Sequence, residues 1–307
     1  MKLNNCTIIT TTGQFFKLVP FLLFAILCCT PGALCQSSFK LVKKNGHYYT
    51  AASINGNAAT PVFVETGFSG MVVSEEWYDK ILASLPLEEI TLDKERHLHT
   101  DRTTRRIAKL LKGRVPVGDL IYEGRVFVVD TDEEYVTLPV NLLKNEADTT
   151  ASLIRFDFKK NVLDFVRPGD VGLDKMRTYT LVSNDPMPIF VAKMELSDAS
   201  GHSLTKYGKF NFDLGNGSGV FFFRKSMLPA LKENKFKIQT SRDKSGKIVG
   251  QGIFAGYCKI GEKSNTGFSI GITNKIEDTD ELGCVGPSFF KNGIVVLDPN
   301  NHLIYYR

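Results

Sequence analysis

Lys209-Phe210-Asn211-Phe212-Asp213-Leu214-Gly215-Asn216-Gly217-Ser218-Gly219 runs an apolar strand into one carboxylate, then into a glycine-dense turn. Val220-Phe221-Phe222-Phe223 follows as a second apolar run. A carboxylate closing a buried strand is costly unless it is paired or has chemistry to perform. The glycines allow a tight backbone around it and leave its oxygens accessible. The same order stands earlier in the chain, in Val62-Phe63-Val64-Glu65-Thr66-Gly67-Phe68-Ser69-Gly70-Met71-Val72-Val73. Glu65 and Asp213 are 148 positions apart.

Other anchors recur at a similar spacing, as a true duplication requires. Val140-Asn141-Leu142-Leu143-Lys144-Asn145 matches Pro287-Ser288-Phe289-Phe290-Lys291-Asn292 at an offset of 147. The segment from Ile154 to Phe165 matches that from Val295 to Tyr306 at an offset near 141, which places a length difference in the loop 146–152. One unit is written twice.

The order of these motifs resembles the retropepsin-like aspartyl proteases: strand, acidic glycine turn, flap hairpin, glycine-rich turn with a short helix, closing strand. Leu282-Gly283-Cys284-Val285-Gly286-Pro287-Ser288-Phe289-Phe290 is similar to the family's late Leu-Gly element, and Ile294-Val295-Val296-Leu297-Asp298 to its closing strand. The resemblance covers nearly all of residues 40–307, once per half. It implies an all-β fold of two similar lobes related by a pseudo-twofold, with a few short helices. The lobes divide as residues 36–168 and 169–307, with Arg167-Pro168-Gly169-Asp170 as the linker. Departures are Glu65 in place of Asp, Leu214 in place of Thr, and no late glycine pair in the first half.

The resemblance also implies the chemistry. Two carboxyls brought together across a pseudo-twofold share one proton, because like charges held close do not both ionise comfortably. One activates water while the other protonates the leaving group. Glu65 and Asp213 are the expected catalytic pair, supported in their turns by Thr66, Gly67, Ser69, Gly215 and Ser218. In the family, the threonine after the acid hydrogen-bonds across to the opposite lobe. Thr66 retains that capacity and Leu214 lacks it. The expected activity is therefore an aspartic-type peptidase acting on peptide or protein substrates as a monomer. The alternative is a weak or inactive pseudoprotease that binds extended peptides. Glu is longer than Asp by roughly 1.5 Å, and a misplacement of about 1 Å costs on the order of a hundredfold in rate.

Other chemistries find less support. Gly67-Phe68-Ser69-Gly70-Met71 lacks the last glycine of a serine-hydrolase elbow. The five histidines are scattered and no Cys-x-x-Cys occurs, so neither a metal nor a cofactor is expected. Asp157 and Asp298 read as turn formers in the closing strands.

Residues 1–35 carry Lys17, an uncharged apolar run from Leu18 to Cys29, a Thr30-Pro31-Gly32 break, and small residues at Ala33 and Cys35. That is the pattern of a cleaved signal peptide, implying export and no stable membrane span afterwards. Cleavage removes Lys2 and Lys17 and no acid, so the formal net charge of +5 becomes +3. That charge is too small and too evenly spread to indicate nucleic acid as a partner. The basic run Arg102–Arg114 reads as a solvated hairpin arm. Cys258 and Cys284 alone remain after cleavage, and they are either a disulfide or two buried thiols.

A helix is expected over 74–85, from its capping serine, early acids and apolar spacing, with a shorter one over 225–232. Strands are expected over 106–117 and 121–130, which the resemblance assigns to the flap, and a second flap-like hairpin over 247–260.

Overall fold

The computed structural model describes residues 38–307 apart from 93, 95, 100–103, 185, 186, 274–279 and 292. The expected leader, residues 1–35, lies outside the described residues. Cys35–Arg307 is one compact unit. The fold is all-β, built from two similar lobes with few short helices.

The duplication is visible strand by strand. In the first half, Asn57–Glu65 pairs in parallel with Val136–Pro139, and Met71–Ser74 pairs antiparallel to that same strand. In the second half, Ser203–Phe212 pairs in parallel with Gly283–Val285, and Val220–Phe223 runs antiparallel to it. Each second strand is flanked in parallel on its other side, by Leu120–Val129 and by Lys263–Thr273 respectively. Each acidic turn thus joins two strands separated by a third, held at both edges by backbone hydrogen bonds.

Six further strands join the halves. Their order is Ser38–Lys40, Val162–Val166, Leu153–Asp157, Ile294–Asp298, Leu303–Tyr306, Arg177–Ser183. At the centre, Leu153–Asp157 and Ile294–Asp298 pair antiparallel with Arg155 opposite Val296. Those two residues are equivalent at the offset of 141, so the pseudo-twofold passes through their pair. The symmetry reaches the outer turns too. Asp157 Oδ1 accepts the Lys160 N–H at 2.9 Å, and Asp298 Oδ1 accepts the Asn301 N–H at 3.0 Å. Both are turn formers, as their sequence context indicates.

The core runs continuously beneath both acidic turns. Phe156 from the first half lies 5.9 Å, ring to ring, from Phe212 of the second, and Phe212 lies 5.8 Å from Phe290. All three are buried. The lobes also interlock at a turn. Gly46 has a positive φ of 87°, and a Cβ there would fall 2.4 Å from the Gly217 carbonyl oxygen. Only glycine permits that approach.

The helices and hairpins differ from expectation. Ser74 caps its helix through Oγ, which accepts the Trp77 N–H at 3.2 Å. The α-helix is only Glu75–Trp77, and Tyr78–Leu82 continues as a wider π turn that buries Ile81 and Leu82. The second-half helix, Arg224–Glu233, is the longer of the two despite Pro229. Met227 and Leu231 sit four residues apart on its core face, and both are fully buried, which offsets the hydrogen bond that proline removes.

The expected strands over 106–117 and 121–130 form as Thr104–Val117 and Leu120–Val129, with Asp130 just past the end of the second. A shorter hairpin precedes them, pairing His97–His99 with Thr104, Arg105 and Arg106. Its counterpart pairs Gln239–Arg242 with the start of Ile248–Ile260, so the residues expected to form a whole hairpin supply one long arm. Asp243 closes that turn, its Oδ1 accepting N–H groups of Ser245 and Lys247 at 2.8 and 3.0 Å.

Candidate functional site

Glu65 ends its strand opposite Pro139. Asp213 follows its strand directly, and its N–H donates to the Val285 carbonyl at 3.0 Å. The strands before both acids are locked by parallel pairing, and the turns then carry the two side chains to one place. The Glu65 and Asp213 carboxyl groups meet over Gly67, where a Cβ would lie 2.9 Å from both Glu65 Oε1 and Asp213 Cγ.

Their surroundings are not symmetric. Glu65 is 3% exposed, whereas Asp213 is half-buried. Glu65 Oε1 accepts the Thr66 N–H at 2.8 Å and the Gly67 N–H as well. Asp213 Oδ1 accepts the Asn216 N–H at 3.1 Å. Burial raises the Glu65 pKa well above the usual carboxylate range, and the Asp213 charge and hydrogen bond add to that rise. The Gly67 and Thr66 N–H bonds pull it part of the way back. Desolvation disfavours the charged form, so burial favours the protonated form of Glu65.

The glycines make the approach possible. A Cβ on Gly67 would lie 2.9 Å from Asp213 Cγ, and one on Gly215 would lie 1.6 Å from Glu65 Oε2. Each turn's first glycine therefore faces the opposite turn's carboxyl. The much closer contact at Gly215 follows from the extra methylene of Glu65, which carries its carboxyl onto the backbone of the facing turn.

Thr66 is fully buried and braces the two turns. Its hydroxyl donates to the Phe212 carbonyl at 2.8 Å and accepts the Leu214 N–H at 2.9 Å. Leu214, also fully buried, returns only its backbone to this link. Ser218 does not reach Asp213. Its Oγ and N–H both donate to Asn216 Oδ1, at 2.8 and 3.0 Å, because that side chain is the nearer acceptor within the turn. Asn216 Nδ2 in turn faces Cys284 Sγ at 3.5 Å. Ser69 is half-buried in the first turn. Asn216 is the residue that sequence reasoning missed, and a buried asparagine inside a glycine turn was the available signal.

Cys258 and Cys284 are both buried thiols outside any disulfide, so the disulfide alternative is not realised. They occupy the separate strands Ile248–Ile260 and Gly283–Val285. Burial pushes the Cys258 thiol up to about 12. Among the described residues, no group of three or more His, Cys, Asp or Glu side chains could hold a metal ion, and no helix is long and apolar enough to cross a membrane. No family model matches the chain, and no curated protein matches it.

Proposed function

We propose that the protein is an exported aspartic-type peptidase that hydrolyses peptide bonds between its two lobes, with Glu65 and Asp213 sharing one proton. The observation that carries this reading is the carboxyl pair that meets over Gly67, formed by equivalent positions of a duplicated unit. The sequence pattern of residues 1–35 supports export.

Asp213 is the more accessible member and takes a proton from water. The water oxygen adds to the peptide carbonyl carbon while Glu65 delivers its proton to the carbonyl oxygen. In the second step Asp213 gives its newly acquired proton to the amide nitrogen. The C–N bond breaks, and a hydroxyl of the tetrahedral diol returns a proton to Glu65. Acid and amine leave, and the pair regains its starting protonation.

Two observations favour a second reading, that of a peptide-binding module. Glu65 Oε2 is pressed onto Gly215, and Leu214 contributes no hydroxyl to the brace. Displacement of a catalytic carboxyl by about 1 Å is enough to suppress turnover.

Digestion of a peptide library by the secreted form, from acidic to neutral pH, separates the two. Asp213→Asn should abolish cleavage, since an amide of the same shape cannot carry the proton. Glu65→Asp should keep or raise cleavage by shortening the reach. Cleavage surviving Asp213→Asn would exclude the pair as its source. No cleavage by the wild type or by Glu65→Asp, with saturable peptide binding, would establish the binding module.

A further inference from the structure

Two residues before each carboxyl, on the same face of its strand, the two halves carry opposite chemistry. On the Glu65 side stands Phe63. Its ring lies 5.3 Å from Tyr49 and 5.8 Å from Tyr135, and those two tyrosines are 5.7 Å apart. All three are half-buried, unlike their core neighbours Val62 and Val64. Tyr135 lies beside Glu133, which pairs with Arg105 at the base of the first hairpin. Phe63, Tyr49 and Tyr135 form a fixed aromatic wall.

On the Asp213 side the equivalent residue is Asn211. It lies opposite Ile189 on one neighbouring strand and Cys284 on the other, and is 5% exposed. Among the described residues, its Nδ2 faces only Met187 Sδ at 3.5 Å, and its buried Oδ1 has no hydrogen-bond partner. A thioether is a weak acceptor. Exchanging the amide's oxygen and nitrogen would only move the deficit from one end to the other. A buried polar atom left unpaired is costly, and an apolar side chain would fill the position without that cost. Met187 is half-buried and unbranched, a cover that adjusts easily.

We infer that Asn211 is a specificity-determining residue, the acceptor for a neutral hydrogen-bond donor on a bound peptide. The site would select a bulky aromatic or apolar side chain on the Glu65 side of the dyad. On the Asp213 side it would select an amide or hydroxyl side chain. A cationic donor fits poorly, because so buried a position penalises charge. This inference rests on reading the site as a peptide cleft.

The test uses full-length secreted protein carrying Asp213→Asn, which reads binding without turnover. Peptides are varied at one position between Gln or Ser and Leu or Val, and at the other between Phe and Ala. The donor-bearing peptides should bind about tenfold to a hundredfold tighter than their apolar counterparts. Adding Asn211→Leu should erase or invert that preference. Adding Phe63→Ala should weaken binding of the Phe peptides and leave the donor preference intact. Asn211→Leu should also melt no lower than its parent, since the amide it removes is not internally satisfied. Equal binding of Gln and Leu peptides would overturn the inference, as would a preference that survives Asn211→Leu. The same peptides offered to the wild type keep the two readings apart. Binding with the expected asymmetry but without cleavage would sink the peptidase and leave Asn211 in its role. Cleavage with apolar preference on both sides would sink the role of Asn211 and leave the peptidase. Neither binding nor cleavage would overturn both.

Discussion

The Thr66 hydroxyl accepts the backbone N–H of Leu214 at 2.9 Å, and these two residues occupy equivalent positions of the duplicated unit. The link therefore lies on the pseudo-twofold axis, as does the Arg155–Val296 strand pair. The same hydroxyl donates to Phe212, so a single oxygen fastens the first acidic turn to both sides of the second.

Thr66→Val removes that oxygen at nearly constant volume. It leaves two buried backbone groups, the Phe212 carbonyl and the Leu214 N–H, without this partner. At about 1–3 kcal/mol for each such group, unfolding stability in urea should fall by roughly 2–6 kcal/mol, and Thr66→Ser should restore most of it. A loss below about 0.5 kcal/mol would show that the brace contributes little.

Glu65 makes stability depend on pH with a definite sign. Its pKa is raised in the folded protein, first by burial and then by Asp213. Below the ordinary glutamate value both folded and unfolded states hold the proton, and its contribution is fully present. As pH rises from there, the unfolded chain releases the proton and the folded one keeps it, so stability falls until Glu65 itself ionises, then levels off. Each unit in that window corresponds to about 1.4 kcal/mol. Glu65→Gln mimics the neutral acid and should flatten the decline, melting above the wild type at neutral pH. A wild-type profile that rises through the same window would contradict the assignment of the proton to Glu65.

Much of this was legible before any coordinates. Two carboxylates in equivalent glycine turns announced their meeting, because a duplicated unit has few ways to bury both of its acidic strand ends. The all-β character followed from short apolar strands punctuated by glycine. What stayed hidden depended on distances. Ser218 offers its hydroxyl to Asp213 on paper, yet that hydroxyl donates to Asn216 Oδ1 instead. The strand His97–His99 is too short to show an apolar alternation, and its one apolar residue, Leu98, finds its cluster beside Ile107 and Phe127 only in the fold. The relative helix lengths depended on burial of Met227 and Leu231, which outweighs the proline between them.

Gly215 and Gly67 should respond unequally to alanine. At Gly215 a Cβ would overlap Glu65 Oε2 at 1.6 Å, whereas at Gly67 the nearest atoms lie at 2.9 Å. Gly215→Ala must expel the Glu65 carboxyl and should lower cleavage, or peptide affinity, by about a hundredfold. Gly67→Ala needs only small adjustments and should cost several-fold less. Equal losses at the two positions, measured on proteins with matched thermal melts, would refute the asymmetric packing.

The longer acid at 65 and the missing hydroxyl at 214 are coupled. Thr66 gives its hydroxyl to Phe212 and Leu214, and a symmetric partner would return a hydroxyl from position 214 to the Thr66 N–H. That N–H is already taken by Glu65 Oε1 at 2.8 Å, a contact that the extra methylene makes possible by letting the carboxyl fold back over its own turn. Glu65→Asp alone withdraws this acceptor and should destabilise by about 1–2 kcal/mol, even if the shorter acid improves cleavage. Leu214→Thr alone introduces a buried hydroxyl competing for an occupied donor, and should also destabilise. Together the two changes re-create the reciprocal link, so the double variant should be more stable than the sum of the single losses by about 1–2 kcal/mol, within the usual range for directly coupled neighbours. Urea unfolding of the four proteins measures this term, and strict additivity would show that positions 65 and 214 are independent. The same four proteins, assayed for cleavage, should place the double variant highest, because it combines the shorter reach with a brace on both sides of the axis.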